Sequence, residues 1–126
     1  MIPKFRAWDK TTSKLHVVNG IYCDNKKIHY IDDNRVRFVG FDNVIIMQST
    51  GLLDKNGKEI FEGDIVDYKG RKAVIKWHGS YASFIYIFVD ELQKRVAGWS
   101  PLYLAYFHFE VIGNKFETPE FLEVKE

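Results

Sequence analysis

One cysteine, Cys23, in 126 residues excludes an intramolecular disulfide, and so sparing a use of thiols suits a reducing compartment; a cytoplasmic protein is expected. No run approaches the roughly 18 apolar residues of a membrane-spanning helix. The most apolar stretch, Phe84 to Val89, has the length of a strand, so no membrane partner is expected. The start, Met1-Ile2-Pro3-Lys4-Phe5-Arg6, sets charges ahead of any apolar run, which predicts no signal peptide. Net charge is also missing: 18 basic against 17 acidic residues leave +1, too little to hold a nucleic acid or an anionic membrane nonspecifically. The imbalance is only internal, with residues 1–50 carrying +3 and residues 51–126 carrying −2.

Reactive motifs are equally scarce. His16, His29, His78 and His108 have no short ligand spacing, and Cys23 completes no zinc pattern; only strand pairing could bring His16 beside His29. No G-x-S-x-G nucleophile turn occurs. Gly51, Gly57 and Gly63 are followed by no Gly-Lys-Ser/Thr, so they form no phosphate loop. Glu59, Glu62 and Asp64 lie near glycines, where acid/base work or a hard cation is conceivable, but Asp64 beside Gly63 is better suited to accept backbone N–H groups of its own turn. The expectation is therefore no cofactor, no metal and no catalytic residue.

What the chain does have is apolar residues at 46% and aromatic residues at 16%, enough for a packed core with rings to spare for an interface. Phe5 to Asp9 alternates as a strand and ends in the polar cluster Lys10 to Lys14. Leu15 to Val18, Ile21 to Cys23, Ile28 to Ile31, Arg35 to Val39 and Val44 to Gln48 follow as short strands parted by turn residues, a meander pattern. A turn-rich stretch comes next, with Asn56-Gly57 and Gly63-Asp64 as reversals and Gly51 at its head. Asp64 to Tyr68 and Ala73 to Trp77 then flank Lys69-Gly70-Arg71-Lys72 as a hairpin. In Phe84 to Val89 neither face suits water, so it is either a central strand covered on both sides or an edge whose outer face meets another chain. Leu102 to Tyr106 fits a helical turn or a strand, Phe107 to Ile112 a final strand, and Thr118-Pro119 the start of a helical turn over Phe121 to Glu126.

The fold class is mainly β with little helix: an N-terminal β-meander subdomain (1–50), a turn-rich connecting segment (51–63), and an SH3-like small barrel (64–126) on which the meander packs. Gly51, Asn56, Gly57, Gly63 and Asp64 are its structural turns. Phe84, Tyr86, Phe88 and the loop indole Trp99 are candidates for an interface, which points to a homo-oligomer. Lys69, Arg71, Lys72 and Lys76, with Tyr68, Trp77, Arg35 and Arg37, are candidates for a basic, aromatic-studded nucleic-acid surface.

Three stretches carry a resemblance: Lys4-Phe5-Arg6-Ala7-Trp8-Asp9; the middle run of Thr50-Gly51-Leu52, Asp54 to Ile60 and Glu62-Gly63-Asp64-Ile65-Val66; and Glu110-Val111-Ile112-Gly113-Asn114. With these the chain resembles the YopX family, proteins encoded by bacteriophages and prophages. It departs from the family pattern at Ser49, where an aromatic often stands, and at Lys115, where an apolar residue often stands. The resemblance implies phage or prophage origin, action in a bacterial host, and a mostly β protein ending in a barrel-like part; it supplies no catalytic residues. The expected role is a non-catalytic binding or assembly module with a homo-oligomeric, host or phage protein partner. The alternative is a nucleic-acid-binding module using the hairpin from Lys69 to Lys76.

Overall fold

The computed structural model describes residues 4–123; Met1 to Pro3 and the end of the helical turn expected over Phe121 to Glu126 lie outside them. Among the described residues the chain is mainly β, with helix only as single 3-10 turns. It divides into two compact units, the first ending at Ser49 and the second beginning at Thr50. The boundary falls inside a strand.

In the first unit β1 (Phe5–Asp9), β2 (Lys14–Val17), β3 (Gly20–Tyr22), β4 (Lys27–Asp32), β5 (Arg35–Gly40) and the start of β6 (Val44–Leu53) follow one another. The meander is realised as the sheet β3-β4-β5, whose tight turns place Lys26, Asp33 and Asn34 at positive φ. β6 returns to β1, pairing Ala7 with Ile46 and Asp9 with Val44. That return buries Ala7, Ile28, Tyr30 and Val44 together, with Val18, Val39, Phe41 and Ile46 packed around them. Tyr30 is fully buried yet polar at its tip, and its hydroxyl donates to Asp9 Oδ2 at 2.8 Å. A buried hydroxyl needs such a partner, since an unmade bond there costs about 1–3 kcal/mol.

In the second unit β7 (Glu59–Phe61), β8 (Asp64–Tyr68), β9 (Arg71–His78), β10 (Ser83–Phe88), β11 (Ser100–Pro101) and β12 (Glu110–Asn114) succeed the end of β6. Five of them form a curled half-barrel in the order β11-β10-β9-β8-β12, an arrangement compatible with a small barrel. The hairpin turn is Lys69-Gly70, with φ of 52° and 85°; two left-handed residues make the turn whose twist suits paired strands. Register sets the faces. Ala73, Ile75 and Trp77 share one face with Phe88, Tyr86 and Phe84, while Val74 shares the other with Ile87.

The first face forms the main core of Ile60, Val66, Ala73, Ile75, Leu102 and Phe109, on which Phe84, Tyr86 and Phe88 pack. The second buries Val74, Ile85 and Ile87 under Leu92, Ala97 and Leu122. Strand β10 is thus covered on both sides within its own unit, although its outer neighbour β11 is only two residues long. Leu102–Leu104 and Tyr106–His108 are 3-10 turns, so the last strand begins at Glu110 and not at Phe107. Thr118 caps nothing with its side chain. Its hydroxyl is already engaged, donating to the Asn114 carbonyl at 2.9 Å and accepting the Asn114 N–H at 3.0 Å.

Candidate binding surface and the motif residues

Four polar residues of the three motif stretches, Asp9, Asp54, Asp64 and Asn114, are buried and accept backbone N–H groups. Asp54 is 6% exposed; its Oδ1 accepts the N–H of Asn56 at 2.9 Å and of Lys58 at 2.8 Å, and its Oδ2 accepts the N–H of Val111 at 2.9 Å. One carboxylate thus closes the turn around Asn56-Gly57 and ties it to β12. Burial pushes the Asp54 carboxyl upward, but the N–H bonds from Val111, Lys58 and Asn56 and the charge of Lys58 outweigh it and hold the group below its ordinary value of 3.8,.

Asp9 repeats the pattern. Its Oδ1 accepts the Thr11 N–H at 2.9 Å and its Oδ2 the Tyr30 hydroxyl. Burial again pushes upward and is outweighed by the bonds from Tyr30, Thr11 and Thr12 and by the nearby His16, leaving Asp9 lowered. Burial and the Asp9 carboxylate raise Tyr30 in turn. Asp64 Oδ2 accepts the Phe61 N–H at 2.8 Å, and Asn114 Oδ1 accepts the N–H groups of Phe116 at 3.0 Å and Glu117 at 2.9 Å. Each of these groups is spent on holding a reversal, which is what short acids and amides at turns do best.

The turn glycines differ in setting. Gly57 has φ +84° with nothing within 4 Å of an added Cβ, so backbone conformation alone makes glycine the fitting residue there. Gly63 sits at φ +86°, and its N–H donates to the Ile75 carbonyl at 2.8 Å. Gly51 also has positive φ, 77°, but it lies within β6 and not at a reversal. Asn56 sits between Asp54 and Gly57 and gives its N–H to Asp54.

The basic residues of the hairpin do not share one face. The Arg71 guanidinium is held by Asp90 through Nε to Oδ2 at 2.8 Å and Nη2 to Oδ1 at 2.7 Å, and it covers the Phe88 ring at 3.7 Å. Lys72 and Lys76 alternate with it on β9 and so face the other side of the sheet, where Lys72 reaches the Phe121 ring at 5.6 Å. Lys69 lies over Tyr68 at 5.4 Å.

Of the interface candidates, Phe84, Tyr86 and Phe88 are half-buried against the main core. Trp99 remains on the surface, with its ring 4.8 Å from His78 and 5.1 Å from Tyr81. The histidines stay apart: His16 stacks on Tyr30 at 3.8 Å, whereas His29, the next residue back along β4, points to the opposite face and meets the Tyr22 hydroxyl at 2.9 Å. Among the described residues no three His, Cys, Asp or Glu side chains gather so as to hold a metal ion, and no helix is long and apolar enough to cross a membrane.

One concave feature of the second unit was not legible in the sequence. A cleft of about 320 Å³ is lined by residues that include Thr50, Leu52, Trp77, Phe84, Leu102 and Tyr103. Its walls are rings: Trp77 is 46% exposed and Tyr103 61% exposed, and Trp77 is braced edge-on by Phe84 at 5.0 Å. Its floor includes the buried Leu102, and no charged side chain lines it. An exposed aromatic surface is the kind that anchors a neutral partner group.

Fold and site together define a mainly β protein of two units in which the motif residues Asp9, Asp54, Asp64 and Asn114 hold turns. The family model described as YopX protein matches residues 4–123, and the chain belongs to that family. It is similar to the crystal structure of protein EF1440 from Enterococcus faecalis, at 30% identity over 98% of this chain and 99% of that one, with a TM-score of 0.60. No curated protein matches.

Proposed function

We propose that the protein is a phage- or prophage-type accessory protein acting as a non-catalytic binding or assembly module in the cytoplasm of the bacterial host. The observation that carries this reading is the cleft walled by Trp77 and Tyr103, an exposed aromatic site lined by no charged side chain. Engagement of Asp9, Asp54 and Asp64 with backbone and Tyr30 donors supports it from the other side, because a general base must be able to reach a substrate proton. Trp99, with Tyr81 beside it, is a second anchor, suited to a copy of the same chain. The alternative, a nucleic-acid-binding module using the hairpin from Lys69 to Lys76, is less favoured, because Arg71 is paired with Asp90 and alternates with Lys72 and Lys76 along β9,. Capture from a bacterial lysate with the purified protein, in nuclease-treated and untreated arms, tests the reading. Retention of discrete proteins in both arms is expected, and retention only in the untreated arm would overturn it in favour of nucleic acid.

A further inference from the structure

We infer that the outer edge of β5 in the first unit is a strand-addition site for an extended protein segment whose side chains alternate acidic and apolar. β5 ends the sheet β3-β4-β5 and pairs with no other strand on its far side among the described residues. Arg35, Val36, Arg37 and Phe38 are all exposed. Such an edge leaves alternate N–H and C=O groups to be matched by an incoming strand.

Two of the usual protections, a bulge and a proline, are missing,. The register with β4 runs unbroken from Asp32 opposite Arg35 to Lys27 opposite Gly40, without a bulge, and β5 contains neither proline nor lysine. One side chain of the edge is also packed. Phe38 is held against His29 at 5.6 Å and Tyr22 at 6.0 Å, with the Lys27 ammonium 4.6 Å from its ring centre. Gly20, opposite His29, leaves room for that ring: a Cβ there would lie 2.5 Å from it.

Alternation selects the occupant. Val36 and Phe38, each 56% exposed, share the face of Ile31 and His29, while Arg35 and Arg37 share the other face with Asp32 and Tyr30. Neither arginine forms an ion pair with a described residue within 4 Å. A second copy pairing antiparallel about Val36 or Arg37 would set arginine opposite arginine, and pairing about Phe38 would set both Arg37 side chains against Val39. Cross-strand like charges destabilise and opposite charges stabilise, so a partner with carboxylates at alternate positions fits where a second copy does not. This proposal concerns the first unit and is independent of the Trp77 cleft.

The test uses the full chain, labelled with 15N, and two blocked heptapeptides that alternate valine and phenylalanine with either glutamate or lysine. The glutamate peptide should shift the amide signals of Val36 to Gly40 and weaken as salt rises. The double substitution Arg35→Glu with Arg37→Glu, checked for an unchanged thermal midpoint, should weaken it about tenfold or more and should admit the lysine peptide instead. Equal binding of both peptides to the unaltered protein, shifts confined to the second unit, no shift at millimolar peptide, or indifference to the substitution would each overturn the proposal. So would shifts at β5 that grow with protein concentration alone, which would make the occupant a second copy.

Discussion

Replacing Asp54 tests whether the longest motif stretch is structural. In Asp54→Ala the N–H groups of Asn56, Lys58 and Val111 lose their common acceptor. Asn56 and Lys58 are exposed, so water recovers part of their loss, about 0.5–1 kcal/mol remaining for each. The Val111 N–H, half-buried on β12, is left with about 1–3 kcal/mol of unmet demand. The sum is about 3 kcal/mol, which for a chain of this size corresponds to a fall of about 10 °C in thermal midpoint. Asp54→Asn should cost about 2 kcal/mol, because an amide can still accept at the turn but would turn its NH2 toward the Val111 N–H. The pH dependence carries the same signature. A carboxyl held below its ordinary 3.8 in the fold contributes stability that is present above that pH and lost as pH falls through the lower folded value. Chemical denaturation at pH 7 and at steps below 3.8 reads both effects, and the acid-dependent loss should be smaller in Asp54→Asn. If Asp54→Ala lies within about 1 kcal/mol of the unaltered protein at pH 7, the stapling account of the motif is wrong.

The remaining predictions concern backbone, core and surface. Gly57→Val should destabilise by about 1–2 kcal/mol, since the site has space but a φ that a β-branched residue resists,; Gly57→Asn should cost much less, and equal midpoints for the two would refute the assignment. Ile75→Ala removes a fully buried side chain from the main core and should cost about 2–5 kcal/mol, measured by the shift in urea midpoint at unchanged slope. Trp99→Ser should leave the thermal midpoint nearly unchanged and convert a self-associated species to monomer in sedimentation; a monomeric unaltered protein would remove the self-association reading.

How much of this was legible in the sequence varies with how local the cause is. Gly57, Gly63 and the Lys69-Gly70 hairpin announce themselves because residue type and backbone conformation are tied at the same position. The bond from Phe61 to Asp64 spans three residues and was likewise readable. Asp54 was not: beside Lys55 and Lys58 a carboxylate resembles a solvated one, and its deciding partner, Val111, is 57 residues away. The two-faced pattern of Phe84 to Phe88 was visible, but whether a neighbour chain or the same unit covers it depends on Leu92, Ala97 and Leu122, which arrive from later segments. Gly51 looks like a turn because a positive φ inside a strand leaves the same residue preference as one at a reversal. Trp77 and Tyr103 line one cleft only once the 3-10 turn at Leu102–Leu104 has formed.

Binding through the aromatic cleft is the central claim, and the direct measurement is quantitative capture from nuclease-treated bacterial lysate by the unaltered protein and by Trp77→Ala with Tyr103→Ala. Both must first be shown to melt at nearly the same temperature. Proteins retained by the unaltered chain and lost from the double variant are the predicted result, whereas retention of the same proteins by both would contradict it.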